Sequence, residues 1–225
     1  MKLLKKGKTK DVYALEDGNI LLQFKDDATV GEDGKLDPGG NVVGAKVEGL
    51  GQASLRVTKY YFEKIREAGI FTHYIDCDLE KGTMTVLPAV TFGKGLEIIC
   101  RLKATGSFIR RYGDYCTDGQ DLDFLVEVSL KDDERGDPMI SKDALEMLGI
   151  MDGATYEELK SLTKRIAAIL RDDLSAKGLT LYDMKFEFGM VNGKVALIDE
   201  ISSGCMRVYK GDTWVHTTEL EKYFQ

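Results

Sequence analysis

Carboxylates, lysines and arginines gather in four short stretches of this chain, and each stretch could handle phosphate or metal. The first is YDMKFEFGMVNGKVALIDEISSG, residues 182–204, in which Lys185, Glu187, Asp199 and Glu200 interrupt apolar runs on either side of Asn192-Gly193. Asn-Gly between alternating runs signals a two-residue hairpin, because both residues accept the positive φ of a type I′ turn. An ionised carboxylate on a strand packed on both faces needs a partner or a metal, since burying an unpaired charge is costly. Mg²⁺ suits such a pair, taking one or two carboxylates and completing its shell with water and phosphate oxygens. A hairpin with one wet face would carry the same acids without any site.

Register sharpens that choice. In a regular two-residue hairpin Glu187 faces Ile198 and Phe186 faces Asp199, so Glu187 and Asp199 point to opposite sides of the sheet. Glu200 would then share a face with Lys185 and Glu187. For Glu187 and Asp199 to grip one metal, the alternation must break, through a bulge at Gly193 or a twist beyond Leu197. The expectation is that it does break; a regular hairpin through residue 199 would make Glu200 the second ligand.

The second stretch is KKGKTKDVY, residues 5–13, where backbone could approach a phosphate at Gly7 while Lys8 and Lys10 supply charge. It is neither a P-loop nor a G-x-G-x-x-G loop, and a lysine-rich exposed hairpin reads as well. The third is CRLKATGSFIRRYGDY, residues 100–115, with Arg101, Ser107, Arg110 and Arg111. Forked guanidinium donors match carboxylate and phosphate, so this is an anion pocket or a set of surface arginines paired with aspartates. The fourth is LKDDERGDPMI, residues 130–140, which contains Lys131 and otherwise reads as a solvated charged loop. Arg207 alone decides nothing.

The elements that must hold these groups are legible in outline. Residues 2–31 read as two or three strands with a turn at residues 16–19, and the glycine-rich stretch 31–51 reads as a mobile loop. Leu55, Tyr61, Phe62 and Ile65 recur at helical spacing from about Ala53 to Ala68, with Gly69 as the stop. Strand-like runs FTHYIDCDL, TMTVLPAV, LEIICRLKAT and LDFLVEVSL follow. A short helix is expected from Lys142 to about Gly149. A long one is expected from Thr155 to Lys177, with an apolar stripe of Leu159, Leu162, Ile166, Ile169, Leu170 and Leu174. The reading is α+β with mostly antiparallel sheet, divided into a β-rich lobe over residues 1–95 and an α+β lobe over 96–225.

Composition narrows the function classes. With 225 residues, 31 basic against 38 acidic and a net charge of −7, a general nucleic-acid or membrane surface is not expected. No apolar run approaches the roughly 18 residues of a membrane span, and the start MKLLKKGKTK has no signal-peptide core, so the cytoplasm is the expected location. The 4 cysteines show no C-x₂-C pairing and only 2 histidines are present, which argues against a zinc site or a histidine-based triad.

Taken in order, GKTKDVY, FKDDATVG, AGIFTH, LEIICR with TGSFIRRYG, VEVSLKDDERGDPMI, LYDMKFEFG and VALIDEIS, plus Arg207, resemble the phosphoribosylaminoimidazole-succinocarboxamide synthase (SAICAR synthase) family. The resemblance implies a two-lobed, ATP-grasp-like fold with a nucleotide cleft between the lobes. It implies a ligase that joins the carboxylate of an aminoimidazole ribonucleotide to the amine of aspartate, using ATP and Mg²⁺ in purine synthesis. Gly7, Lys8 and Lys10 would lie over the ATP phosphates, and Glu187 and Asp199 would hold the Mg²⁺. Lys131 and Lys185 would stabilise transferred charge, while Arg101, Ser107 and Arg207 would face the nucleotide substrate. A homo-oligomer is compatible with the resemblance.

This chain departs from the family pattern on the substrate side. Arg101-Leu102 stands where Arg-Asn is usual, LGQASL where a K-G-x-x-N-N-like segment is usual, and Ser202-Ser203-Gly204 where S-P-D is usual. A paralogue that ligates a different carboxylate or amine, or a kinase-like nucleotide-binding protein, would fit the same phosphate and metal residues.

Overall fold

The computed structural model describes residues 1–31, 34, 36, 40 and 42–224. The chain forms two compact units, one comprising Met1–Val90, Glu200–Cys205 and His216–Gln225, the other Thr91–Asp199 and Met206–Val215. Each sheet pairing given below is antiparallel.

The first unit begins with β1 (Lys2–Lys6), β2 (Lys10–Ala14), β3 (Ile20–Phe24) and β4 (Asp27–Val30), followed by β5 (Val42–Lys46), which pairs with β4. The expected two or three strands over residues 2–31 are thus four, because the chain breaks at Lys25-Asp26 and starts a separate ribbon. That ribbon also corrects the loop expected over 31–51: residues 42–46 are strand, and the helix begins at residue 50; the remainder of that expectation falls largely outside the described residues. Helix α1 (Leu50–Glu67) buries Leu55, Tyr61, Phe62 and Ile65 completely. It starts earlier than the apolar spacing indicates because Gly49, at φ 79°, turns the chain into it. It ends as expected: Gly69 at φ 71° donates to Arg66 O and Ile70 to Ile65 O, the paired bonds of a Schellman motif. With β6 (Tyr74–Asp78) and β7 (Thr83–Val86), the main sheet has the order β1-β2-β3-β7-β6.

The second unit is built on β9 (Leu96–Lys103), β10 (Asp121–Leu130) and β11 (Thr180–Val191), preceded by the short β8 (Val90–Thr91) at the boundary. Between β9 and β10 lies α2 (Ser107–Tyr112), a short helix that the sequence reading did not anticipate. Helices α3 (Lys142–Met147) and α4 (Gly153–Ala176) follow, close to the expected spans. Asp152 caps α4 by accepting from Thr155 N at 2.7 Å, and Leu159, Ile166, Leu170 and Leu174 line its buried face. Strands β12 (Lys194–Ile198), β13 (Met206–Lys210) and β14 (Thr213–Trp214) complete a sheet in the order β10-β9-β11-β13-β14, with β12 also on β11.

The chain returns twice to the first unit, through residues 200–205 and through the segment that carries α5 (Thr217–Leu220). A single cut at residue 95 therefore misses both returns, since the hydrophobic pattern reports burial and not the unit in which a segment is buried. Among the described residues no helix is long and apolar enough to cross a membrane.

Candidate active site

The hairpin of β11 and β12 pairs Glu187 with Ile198, Phe188 with Leu197, Gly189 with Ala196, Met190 with Val195 and Val191 with Lys194. Asn192 at φ 50° and Gly193 at φ 75° form its turn, both in the left-handed region that a type I′ turn demands. The register is regular, so the bulge considered at Gly193 does not occur. Burial explains the regularity: Phe186, Phe188 and Leu197 share one face and are each at most 2 % exposed, and a one-residue slip would move this bulky set to the face that Gly189 and Ala196 occupy.

The alternation breaks one residue after β12 ends. Asp199 has φ 63°, a sparsely populated conformation for a residue with a side chain, and one that recurs where structure over-determines it at functional sites. The break separates two acids that a straight strand would place on opposite faces. Asp199 belongs to the second unit, where its charge acts on both Glu187 and Lys131. Glu200 belongs to the first unit, where it forms a buried ion pair with Lys10. The expected irregularity therefore exists, at Asp199 itself.

Around Glu187 the second unit assembles a compact charged cluster. Lys131 Nζ pairs with Glu187 Oε1, and Lys185 Nζ donates to Glu97 Oε1 at 2.6 Å. The Glu187 side chain is only 12 % exposed, and burial pushes its carboxyl above the usual range. Asp199 pushes it further the same way, while Lys131 pulls it back. Burial opposes the charge on Lys131, but Glu187 and Asp199 outweigh it and hold the ammonium above the ordinary lysine value. The loop of residues 130–140 is thus more than a solvated charge run: it delivers Lys131 to these acids. Backbone bonds set its position, with Lys131 N donating to Gly95 O and Leu130 N to Pro138 O.

Two carboxylates whose mutual repulsion raises one pKa form a site that gains from an added cation. Among the described residues no group of three or more His, Cys, Asp or Glu side chains could hold a metal by itself. That fits Mg²⁺ poorly as an all-protein cage and well as an ion sharing one or two carboxylates with water and phosphate oxygens.

A second cluster lies on β9, α2, β10, β11 and β13. Arg101, 1 % exposed, donates from Nε to Glu127 at 2.5 Å, from one terminal nitrogen to Asp183 at 2.8 Å and from the other to Ser107 Oγ at 2.8 Å. Arg207 reaches the same Asp183 at 2.9 Å and Arg111 the same Glu127 at 2.7 Å. Three guanidinium groups thus gather at Glu127 and Asp183, and their forked donors are of the type that suits an anion. Arg101, Ser107 and Arg207, expected together at the substrate, are brought together here. The arginines are paired, but with buried acids from the strands rather than with surface aspartates. Gly106 makes this packing possible: at φ 55° it sits where a Cβ would come within 2.8 Å of Arg207 Cζ.

In the first unit Gly7 N donates to Lys10 O at 2.9 Å, closing the turn that carries Lys8. A Cβ on Gly7 would lie 2.3 Å from that carbonyl oxygen, so the turn requires glycine. Lys25 braces the turn by donating to Gly7 O at 3.0 Å and pairing with Asp27 at 2.8 Å. A cavity of about 60 Å³ adjoins it, lined in part by Thr9, Phe24, Lys25 and Glu200.

Glu97, Glu127, Asp183 and Lys25 carry much of this geometry and were not singled out from sequence. The signal was present for the three acids, each a charged residue in an apolar strand run; a buried carboxylate there must have a partner.

Comparison with known proteins agrees with the segments that carry the resemblance. The SAICAR synthetase family model matches residues 3–224. The phosphoribosylaminoimidazole-succinocarboxamide synthase of Clostridium tetani is 58% identical over 224 residues, covering 99% of this chain and 98% of the relative. A solved SAICAR synthetase structure superposes with a TM-score of 0.81 at 35% identity, covering 93% of this chain and 87% of that one. Another, a type-2 SAICAR synthetase in complex with ADP, gives a TM-score of 0.83 at 27% identity, covering 98% of this chain and 93% of that one.

Proposed function

The chain belongs to the SAICAR synthetase family, and from that premise we propose that it is an ATP-dependent ligase that joins carboxyaminoimidazole ribonucleotide to aspartate in purine synthesis. The observation that carries the residue assignments is the meeting of Glu187, Asp199 and Lys131 in one electrostatic cluster at the positive-φ turn.

The chemistry explains these residue types. A carboxylate is a poor electrophile, so its oxygen first attacks the γ-phosphorus of ATP and releases ADP. The aspartate amine then attacks the acyl carbon, loses a proton, and expels phosphate. Each half demands alignment and exclusion of water more than it demands a nucleophilic side chain. Gly7, Lys8 and Lys10 serve the ATP phosphates. Lys131 and Lys185 supply donors to the charge in transfer, and their acid partners Glu187 and Glu97 orient the two ammonium groups. Arg101, Ser107 and Arg207 hold the anionic end of the nucleotide substrate, with Asp183 fixing both arginines. Glu187 and Asp199 would hold the Mg²⁺, which when bound neutralises phosphate oxygens. The ATP-grasp-like description is part of this proposal, as is a homo-oligomer.

Two of the departures from the family pattern fall at places the fold absorbs. LGQASL becomes the first turn of α1, with Leu50 and Ser54 buried, and Ser203 is buried in the turn after the metal pair. The test is ATP turnover with carboxyaminoimidazole ribonucleotide and aspartate. Release of ADP and phosphate only when both are present is the expected result; no turnover at high enzyme concentration would overturn the reading.

A further inference from the structure

Glu200 is the acid that register alone offers as a metal ligand, and the fold gives it different work. Its carboxylate pairs with the Lys10 ammonium across 190 residues of sequence, and the Thr9 hydroxyl lies 3.5 Å from the same oxygen. Both members of the pair are 8 % exposed. The Lys10 ammonium also lies over the Phe24 ring, 5.4 Å from its centroid. A flexible lysine, whose stem has many rotamers, is thereby confined by a fixed anion and an aromatic face.

The anion is fixed because the backbone behind it is anchored. Ile201 is fully buried, and Ser202 and Ser203 are at most 2 % exposed. Thr58 Oγ1 donates to Ile201 O at 3.0 Å, Gly204 N to Ser202 Oγ at 3.1 Å, and Cys205 N to Ser202 O at 3.0 Å. The backbone that carries Glu200 is therefore held in place. Glu200 is also the residue directly after Asp199, where the positive φ sends the two acids to different partners.

We propose that Glu200 is a positioning residue: it holds the Lys10 ammonium in place for the ATP phosphates. This rests on the reading of Lys10 as a phosphate residue. Orientation of a donor before the ligand arrives removes an ordering cost that binding would otherwise bear.

The test is steady-state kinetics on the full chain with Lys10→Met, Glu200→Gln, Glu200→Asp and the Lys10→Met/Glu200→Gln double variant. Glu200→Gln and Lys10→Met are each expected to raise KM for ATP by about tenfold or more, the scale of one charge-assisted hydrogen bond. KM for the nucleotide substrate stays unchanged, and the double variant is no worse than the poorer single one, because the two residues act as a unit. Glu200→Asp, which keeps the charge on a shorter arm, gives an intermediate KM and serves where the glutamine variant folds poorly. A raised KM in Lys10→Met beside a wild-type or lowered KM in both Glu200 variants overturns the proposal alone. A wild-type KM for ATP in Lys10→Met overturns the phosphate reading beneath it as well.

Discussion

Replacing Gly106 by alanine tests the anion cluster where backbone and side-chain geometry meet. Gly106 adopts φ 55° and ψ −128°, a region nearly closed to residues with a side chain. The new Cβ would lie 2.8 Å from Arg207 Cζ and 3.0 Å from both terminal nitrogens. The arginine is the softer partner, so its guanidinium moves and gives up its bonds of 2.9 and 3.2 Å to Asp183. Forcing the backbone costs about 1–3 kcal/mol, and at roughly 2–4 °C per kcal/mol the melting midpoint falls by roughly 2–12 °C. Losing a charge-assisted contact to the nucleotide raises its KM by about tenfold, with KM for ATP unchanged. Gly18→Ala is the control: Gly18 sits at φ 87° with nothing within 4 Å, so it bears the backbone cost alone. Thermal melts and substrate kinetics on both variants read these terms separately. A Gly106→Ala enzyme with an unchanged midpoint and an unchanged nucleotide KM would refute the argument.

Other consequences follow from the same structure. Glu187→Gln and Asp199→Asn should each abolish turnover while leaving the circular dichroism spectrum intact; wild-type activity in either variant removes that residue from the proposed metal pair. Because burial and Asp199 raise the Glu187 pKa, a proton competes with the cation at higher pH than at an ordinary glutamate, and this competition grows as pH falls. The acid limb of the pH–rate profile should therefore lie above the usual carboxylate range, measured as kcat/KM between about pH 4 and 9. Burial pushes the Cys100 thiol up to about 12, so it should resist a thiol reagent in native protein at pH 8 and react after denaturation, as read by peptide mass spectrometry.

Much of this was legible in sequence because it depends on local rules. The helices α1 and α4 declare themselves through an apolar stripe and a glycine stop, and Asn192-Gly193 through its demand for positive φ. The strands of the second unit read as apolar runs. What sequence could not carry is where segments meet. The same two glutamates, Glu97 and Glu127, look alike in their strands, yet one holds Lys185 and the other bridges Arg101 and Arg111. Helix α2 was missed because SFIRRY is short and has no apolar stripe. The ambiguity between Asp199 and Glu200 was real: alternation gives the acids opposite faces only while the strand continues. One left-handed residue ends that logic, and no propensity marks Asp199 for it beyond the tolerance of aspartate for αL.

The central claim is that this chain activates its substrate carboxylate by phosphorylation before the amine attacks. The most direct measurement is oxygen isotope transfer, with carboxyaminoimidazole ribonucleotide labelled with ¹⁸O in its carboxylate and turned over with ATP and aspartate. The expected result is one labelled oxygen in each phosphate released, with formation of the amide. Unlabelled phosphate, or label retained on a stable phosphorylated acceptor without amide, would contradict it.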